Sequence, residues 1–270
     1  MTLMEWVPLI AALLVAGAFA GVLSGLLGVG GGVVLVPAFV AIFTAAGYHS
    51  DQLMQMCLAT SLGTMIITSS RSVMAHNRRG AVDWSILRTW APWLVIGAVL
   101  GALLVSHLRT ATLQAIFAVL VFAIALWMGF SRQHWRLADH LPGGLWRWTM
   151  GTVVGFLSVL LGIGGGSFAV PLMTLHNIPI HRAVATASGF GVVLAIPSVL
   201  IFLLTPVTNA PPGTVGSINL IVLVLVTAVS TITAPYGASL AHKTDAGRLK
   251  RIFAIFLALV ALNMLYKVLA

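Results

Sequence analysis

Gly21-Val22-Leu23-Ser24-Gly25-Leu26-Leu27-Gly28-Val29-Gly30-Gly31-Gly32, running on to Pro37, is written a second time in this chain. The second copy is Gly155-Phe156-Leu157-Ser158-Val159-Leu160-Leu161-Gly162-Ile163-Gly164-Gly165-Gly166, running on to Pro171. The offset is 134, and 11 of the 17 positions from Gly21 to Pro37 are identical. Both copies lie in strongly apolar sequence. Three consecutive glycines cost a helix about 1 kcal/mol each relative to alanine, so each copy reads as a helix that breaks inside a membrane-like segment. A pair of such interruptions at matching places in two halves points to a protein made of two related membrane units.

The composition agrees. The 270 residues are 60% hydrophobic and 7% charged, with a mean hydropathy of +1.07. A soluble domain of this length cannot cover its surface with so few charges. Apolar runs fall at 6–28, 33–47, 52–71, 89–106, 111–130, 147–162, 167–177, 183–204, 217–241 and 252–269, most near the length that crosses a bilayer core. The second and seventh are short and read as half-helices returning from the glycine breaks. Residues 6–28 read as a retained membrane helix rather than a signal peptide. The segment before them carries Glu5 and no Lys or Arg, and the run itself belongs to the repeat.

The net charge of +9 comes from 14 Lys and Arg against 5 Asp and Glu. The bases cluster between the apolar runs, which reads as the positive-inside bias of a membrane protein and not as a nucleic-acid surface. Following the chain from side to side puts the loop 72–88 with Arg71 at its edge, the linker 131–147, Arg182 and the segment 242–251 on one face, with 12 of the 14 bases. The other face keeps Arg109 and Lys267. That bias predicts basic loops in the cytoplasm and both termini outside.

The repeat extends further. Ala59-Thr60-Ser61 resembles Ala185-Thr186-Ala187-Ser188. At an offset of 136, Gly80 matches Gly216, Gly101-Ala102 matches Gly237-Ala238, and Ile116-Phe117-Ala118 matches Ile252-Phe253-Ala254. Each half has an odd number of passes, so the halves are expected to be inverted relative to each other. The expectation is an all-α integral membrane protein of 8–10 segments: a first repeat over 1–130, a cytoplasmic linker over 131–146, and a second repeat over 147–270.

A helix that restarts after a break presents free backbone N–H groups and a partial positive charge, which together hold anions. The expected substrate site is therefore Gly28, Gly30, Gly31 and Gly32 from one half and Gly162, Gly164, Gly165 and Gly166 from the other, near the membrane midplane. Ser24, Thr60, Ser61, Ser158, Thr186 and Ser188 are candidate hydroxyl donors beside it. No Asp or Glu lies in the middle of an apolar run, which argues against a carboxylate relay for protons or a carboxylate sodium site. The glycine string has no strand before it and no Gly-Lys-Ser/Thr after it, so it is not a phosphate loop. With one cysteine, Cys57, neither a disulfide nor a multi-cysteine metal site can form. The eight histidines all fall at helix ends or in loops, and no nucleophile, base and orienting group come together as an enzyme requires. Nothing in the sequence asks for a cofactor, a metal or a catalytic residue.

Three stretches carry a resemblance to the TauE/SafE family of sulfite exporters, also called the domain-of-unknown-function 81 family. One is the glycine segment and its copy. Another is Ala59-Thr60-Ser61-Leu62-Gly63 with the stretch His181 to Thr186. The third is His76-Asn77-Arg78-Arg79-Gly80-Ala81-Val82-Asp83-Trp84, which looks like the family's His-x-Arg-x-Gly-x-Val-Asp-Trp segment. The resemblance covers about 10–270. It implies an inner-membrane transporter of small sulfur-containing anions, such as sulfite or organosulfonates, with the lipid bilayer as its surroundings. His76, Arg79 and Arg182 are then expected at a cytoplasmic gate or anion-attracting mouth. The third stretch has no evident counterpart in the second half, where Gly216-Ser217-Ile218-Asn219-Leu220 stands at the matching place. The remaining alternatives are a channel or importer for another small anion and a membrane subunit or assembly factor with no flux of its own.

Overall fold

The computed structural model describes residues 3–27, 31–130, 137–241 and 246–269. Ten α-helices are described: α1 Leu3–Leu27, α2 Gly32–Ala45, α3 Leu53–Arg78, α4 Trp84–His107, α5 Thr110–Phe130, α6 Gly144–Leu160, α7 Gly166–Leu175, α8 Ile180–Leu204, α9 Leu220–Ala241 and α10 Ala246–Leu269. Each of the ten apolar runs is one helix. A small hairpin, β1 Thr214–Val215 paired antiparallel with β2 Ile218–Asn219, is an addition to the expected all-helical plan.

Six described helices are long and apolar enough to cross a membrane: α1, α3, α4, α5, α8 and α9. Apart from the largely buried α3, their outward faces carry Val7, Val15, Leu100, Val119, Leu200 and Val224, all exposed. An exterior of exposed aliphatic side chains suits a lipid surround and not water. At 1.5 Å per residue, α2 with 14 residues is about 21 Å long and α7 with 10 is about 15 Å. Both are shorter than a bilayer core of about 30 Å.

The helix pairings interchange between halves. α1 packs on α9 as α6 packs on α4, α2 on α3 as α7 on α8, and α3 on α9 as α8 on α4. α3 with α8, and α5 with α10, pack as partners of each other. Individual residues follow the same rule. Gly63 of α3 faces the Leu223 side chain of α9, and Gly189 of α8 faces the Leu87 side chain of α4. Gly21 on α1 and Gly155 on α6 lie where a Cβ would overlap the facing backbone, at Ser230 and Leu94 respectively. These glycines permit close helix contact, the usual use of small residues in membrane bundles.

Two sequence expectations are corrected here. The basic loop expected over 72–88 is mostly helix. α3 continues to Arg78 and α4 starts at Trp84, because Asp83 caps α4 by accepting from the N–H groups of Ser85 and Ile86, each at 3.1 Å. The stretch Gly80 to Trp84 also has a counterpart in the second half. Gly80 and Gly216 share a left-handed conformation, with φ of 65° and 59°, which only glycine adopts without strain. Val82 and Ile218 are both buried. Asp83 and Asn219 both cap the helix that follows, Asn219 through Val222 N–H at 3.0 Å. The likeness was hidden because aspartate is replaced by asparagine and the two loops before it differ in length and charge.

Candidate functional site

The two glycine breaks meet. Gly32, the first residue of α2, lies so close to the carbonyl of Gly162 that a Cβ on Gly32 would overlap it. Ser61 of α3 donates its hydroxyl to the same Gly162 carbonyl at 2.8 Å. Three elements thus converge on one carbonyl, and Ser61 satisfies the acceptor that the end of α6 would otherwise leave buried and unpaired. Leu58, Gly162 and Ile163 around it are buried.

The two returning helices begin alike. The first intrahelical bonds of α2 run from Val34 and Leu35 to Gly31 O, and those of α7 from Phe168 and Ala169 to Gly165 O. Gly31 and Gly165 are therefore equivalent caps, 134 residues apart. The N–H groups of Gly32, Val33, Gly166 and Ser167 fall in the first turn, where no intrahelical acceptor exists. Gly165 has φ 76°, a left-handed turn that lets the chain reverse between α6 and α7. Pro37 and Pro171 stand inside α2 and α7, at the same position in each. Each removes one intrahelical donor and loosens the helix just beyond the break.

The expected hydroxyls divide into two groups. Ser61 and Ser158 lie at the breaks. The Ser158 hydroxyl bonds back to Val154 O and sits 3.7 Å from where a Cβ on Gly165 would stand. Thr60 and Thr186 are engaged with helix caps instead. The Thr60 hydroxyl accepts from Asn219 N–H and the Thr186 hydroxyl from Asp83 N–H, both at 3.0 Å. Ser188 bonds back to Ala185 O at 2.6 Å. Ser24 is half-buried on α1. Gly28 and Gly30 lie outside the described residues. Gly164 packs against Met65 and Gly191, the latter itself pressed on Ser69.

Sequence reasoning missed Ser167. It follows the second glycine triplet directly, is buried, and its hydroxyl has no hydrogen-bond partner. The matching position in the first copy is Val33, so a search for repeated residues passes over it. A buried hydroxyl without a partner is costly, and this one stands at the start of α7.

Of the expected mouth residues, His76 lies in the last turn of α3 and its carbonyl accepts from Arg79 N–H and Ala81 N–H. Arg79 follows as the exposed C-cap. Arg182, in the first turn of α8, pairs with Asp83 at 3.4 Å. A separate cavity of about 270 Å³ is lined by Leu9, Leu13, Phe43, Tyr48, Pro211 and Asn219. No cluster of three or more His, Cys, Asp or Glu side chains that suits a metal exists among the described residues.

The family described as Sulfite exporter TauE/SafE matches residues 13–264. A probable membrane transporter protein of Haemophilus influenzae is 33% identical over 256 residues, covering 94% of this chain and 97% of the relative. Probable membrane transporter proteins of Methanocaldococcus jannaschii and Bacillus subtilis are each 26% identical, over 97% and 94% of this chain and 97% of each relative. No solved structure matches the chain. With the multi-pass apolar bundle and a match over nearly its whole length, the chain belongs to the TauE/SafE family and is a multi-pass membrane transporter of that type.

Proposed function

We propose that the protein exports a small sulfur-containing anion, sulfite or a short organosulfonate, across the cell inner membrane by alternating access. The observation that carries this reading is the contact of Gly32 with the Gly162 carbonyl. Through it, the free N–H groups at the starts of α2 and α7 lie within a few residues of one point, supplied from both halves. Helix starts hold anions without charged side chains. The unpartnered Ser167 hydroxyl adds a donor suited to a sulfite or sulfonate oxygen, whereas the single O–H of Ser61 and of Ser158 is already given to a carbonyl.

The interchange of helix pairings supports two repeats, 1–130 and 147–270, inverted across the membrane. Rocking one against the other would part Gly32 from Gly162 and expose the site first to one side and then to the other. The basic loops favour a cytoplasmic face at Gly80 and Arg182 and termini outside. Expulsion of one negative charge from a negative interior is favoured by about 2.3 kcal/mol per 100 mV, so export needs no coupling ion.

The experiment is a proteoliposome flux assay with sulfite, thiosulfate and taurine at clamped potential. Saturable flux with counter-exchange is expected. Flux that never saturates would favour a channel, and none at all would favour a subunit without transport of its own.

A further inference from the structure

The two halves build one joint twice, with a single difference. In each, a buried threonine on the second helix after the break, α3 or α8, accepts the N–H of a residue that caps a helix of the other half. Thr60 takes Asn219 N–H, and Thr186 takes Asp83 N–H. At the Asn219 joint the remaining side-chain bonds are neutral. Asn219 Nδ2 donates to Pro212 O and to Thr214 Oγ1, and Thr214 Oγ1 donates to the Met56 sulfur at 3.8 Å. At the Asp83 joint, the residue standing where Met56 stands is Arg182, and its guanidinium meets Asp83 Oδ2. The architecture does not need this ion pair, because the other half makes the same joint without it.

The pair is also weakly made. Its N···O distance is 3.4 Å, and the side chains are 55% exposed for Arg182 and 25% for Asp83. Exposed ion pairs of this kind hold loosely. Asp83 Oδ1 is committed to Ser85 and Ile86 N–H, so only Oδ2 faces Arg182. A guanidinium presents a planar fork of donors that a second oxyanion can take over.

We infer that Arg182 is an anion-binding residue at the mouth of the transport path, and that the carboxylate of Asp83 occupies it until an incoming sulfite or sulfonate displaces it. Displacement removes the ionic link between α4 of the first half and α8 of the second and leaves the neutral Asp83 N–H to Thr186 bond, the same bond that joins α9 to α3 on the other joint. Anion arrival thereby makes the two joints alike. The inference rests on the export reading for its direction, and on the ion pair alone for anion binding.

The test uses Asp83→Asn and Arg182→Gln, singly and together, in the full-length protein. Asparagine caps a helix as well as aspartate and is what the other half carries at Asn219. Two readouts are taken: radiolabelled sulfite flux with sulfite presented to each face in turn, and the thermal stabilisation of detergent-purified protein by sulfite. Asp83→Asn is expected to lower the half-saturating sulfite concentration about threefold on the Arg182 face only. Arg182→Gln is expected to raise it about tenfold. In the Arg182→Gln background, Asp83→Asn is expected to change nothing, which separates competition for the guanidinium from general repulsion by the carboxylate. Saturable flux and sulfite stabilisation with midpoints unmoved in both single variants would overturn the inference and leave export standing. Sulfite stabilisation with the expected shifts but no flux would sustain anion binding at Arg182 and overturn export. Absence of both flux and stabilisation in the unaltered protein would overturn the two together.

Discussion

The hydroxyl of Ser61 donates to the carbonyl of Gly162 at 2.8 Å, across a sequence separation of 101 residues. Both residues are buried, so nothing else can replace this bond. Ser61→Ala should leave the carbonyl unsatisfied and cost about 1–3 kcal/mol of stability. Ser61→Thr, which restores the hydroxyl, should recover part of it. Melting of the detergent-purified protein checks both.

Ser167 should behave the opposite way. Its hydroxyl makes no bond, so Ser167→Ala removes a buried group that is already unsatisfied and should leave the melting temperature unchanged or higher. If the hydroxyl serves the anion, sulfite flux should fall several-fold in the same variant. A drop in both quantities together would mark Ser167 as structural.

Bulk at the breaks should stop transport. Gly165 has φ 76° and lies against Leu194, and Gly31 packs on Ala20. Leucine at either position should abolish flux while the protein still inserts and purifies. At Gly165 the left-handed backbone adds about 1–2 kcal/mol of strain. Full flux by both variants would remove the glycine breaks from the site.

Because the joints are built alike, Thr60→Val and Thr186→Val should destabilise to a similar extent, about 1–3 kcal/mol each, by orphaning the N–H of Asn219 and of Asp83. Thr60 and Thr186 are both fully buried. A cost confined to one of them would show that the halves do not share the joint.

The membrane orientation can be read with a thiol label. Cys57 is buried, so a single cysteine placed at the exposed Arg79 or Val215 in a Cys57→Ala background reports on one loop. An impermeant maleimide applied to intact cells should label Val215→Cys and spare Arg79→Cys. The reverse pattern would turn the protein over.

The helices were legible in the sequence because each is an uninterrupted apolar run, and the breaks were legible because glycine triplets repeat at a fixed offset. The ends were less so. Arg71, Arg78 and His76 look like loop residues, yet they ride on α3 past its apolar part, since charge does not end a helix that has its backbone bonds. An approach of the two breaks was an expectation of the sequence reading, and Gly32 stands against the Gly162 carbonyl. The use of Thr60 and Thr186 was not expected, because a hydroxyl beside a glycine break and a hydroxyl that accepts a distant N–H look the same in sequence. Ser167 was passed over because it departs from the repeat, and an asymmetric site within a symmetric frame is hidden from any search for symmetry.

The crossed joints also govern how the chain is made. Asp83 N–H waits for Thr186, 103 residues later, and the Thr60 hydroxyl waits for Asn219, 159 residues later. When the first five helices have left the ribosome, the cap of α4 and the hydroxyl of α3 have no partners, and none arrive until α8 and α9 are in place. The half synthesised first must therefore persist in the bilayer as an unfinished intermediate. Consolidation of the bundle is a late event, and a chain truncated after α7 should be degraded rather than stored.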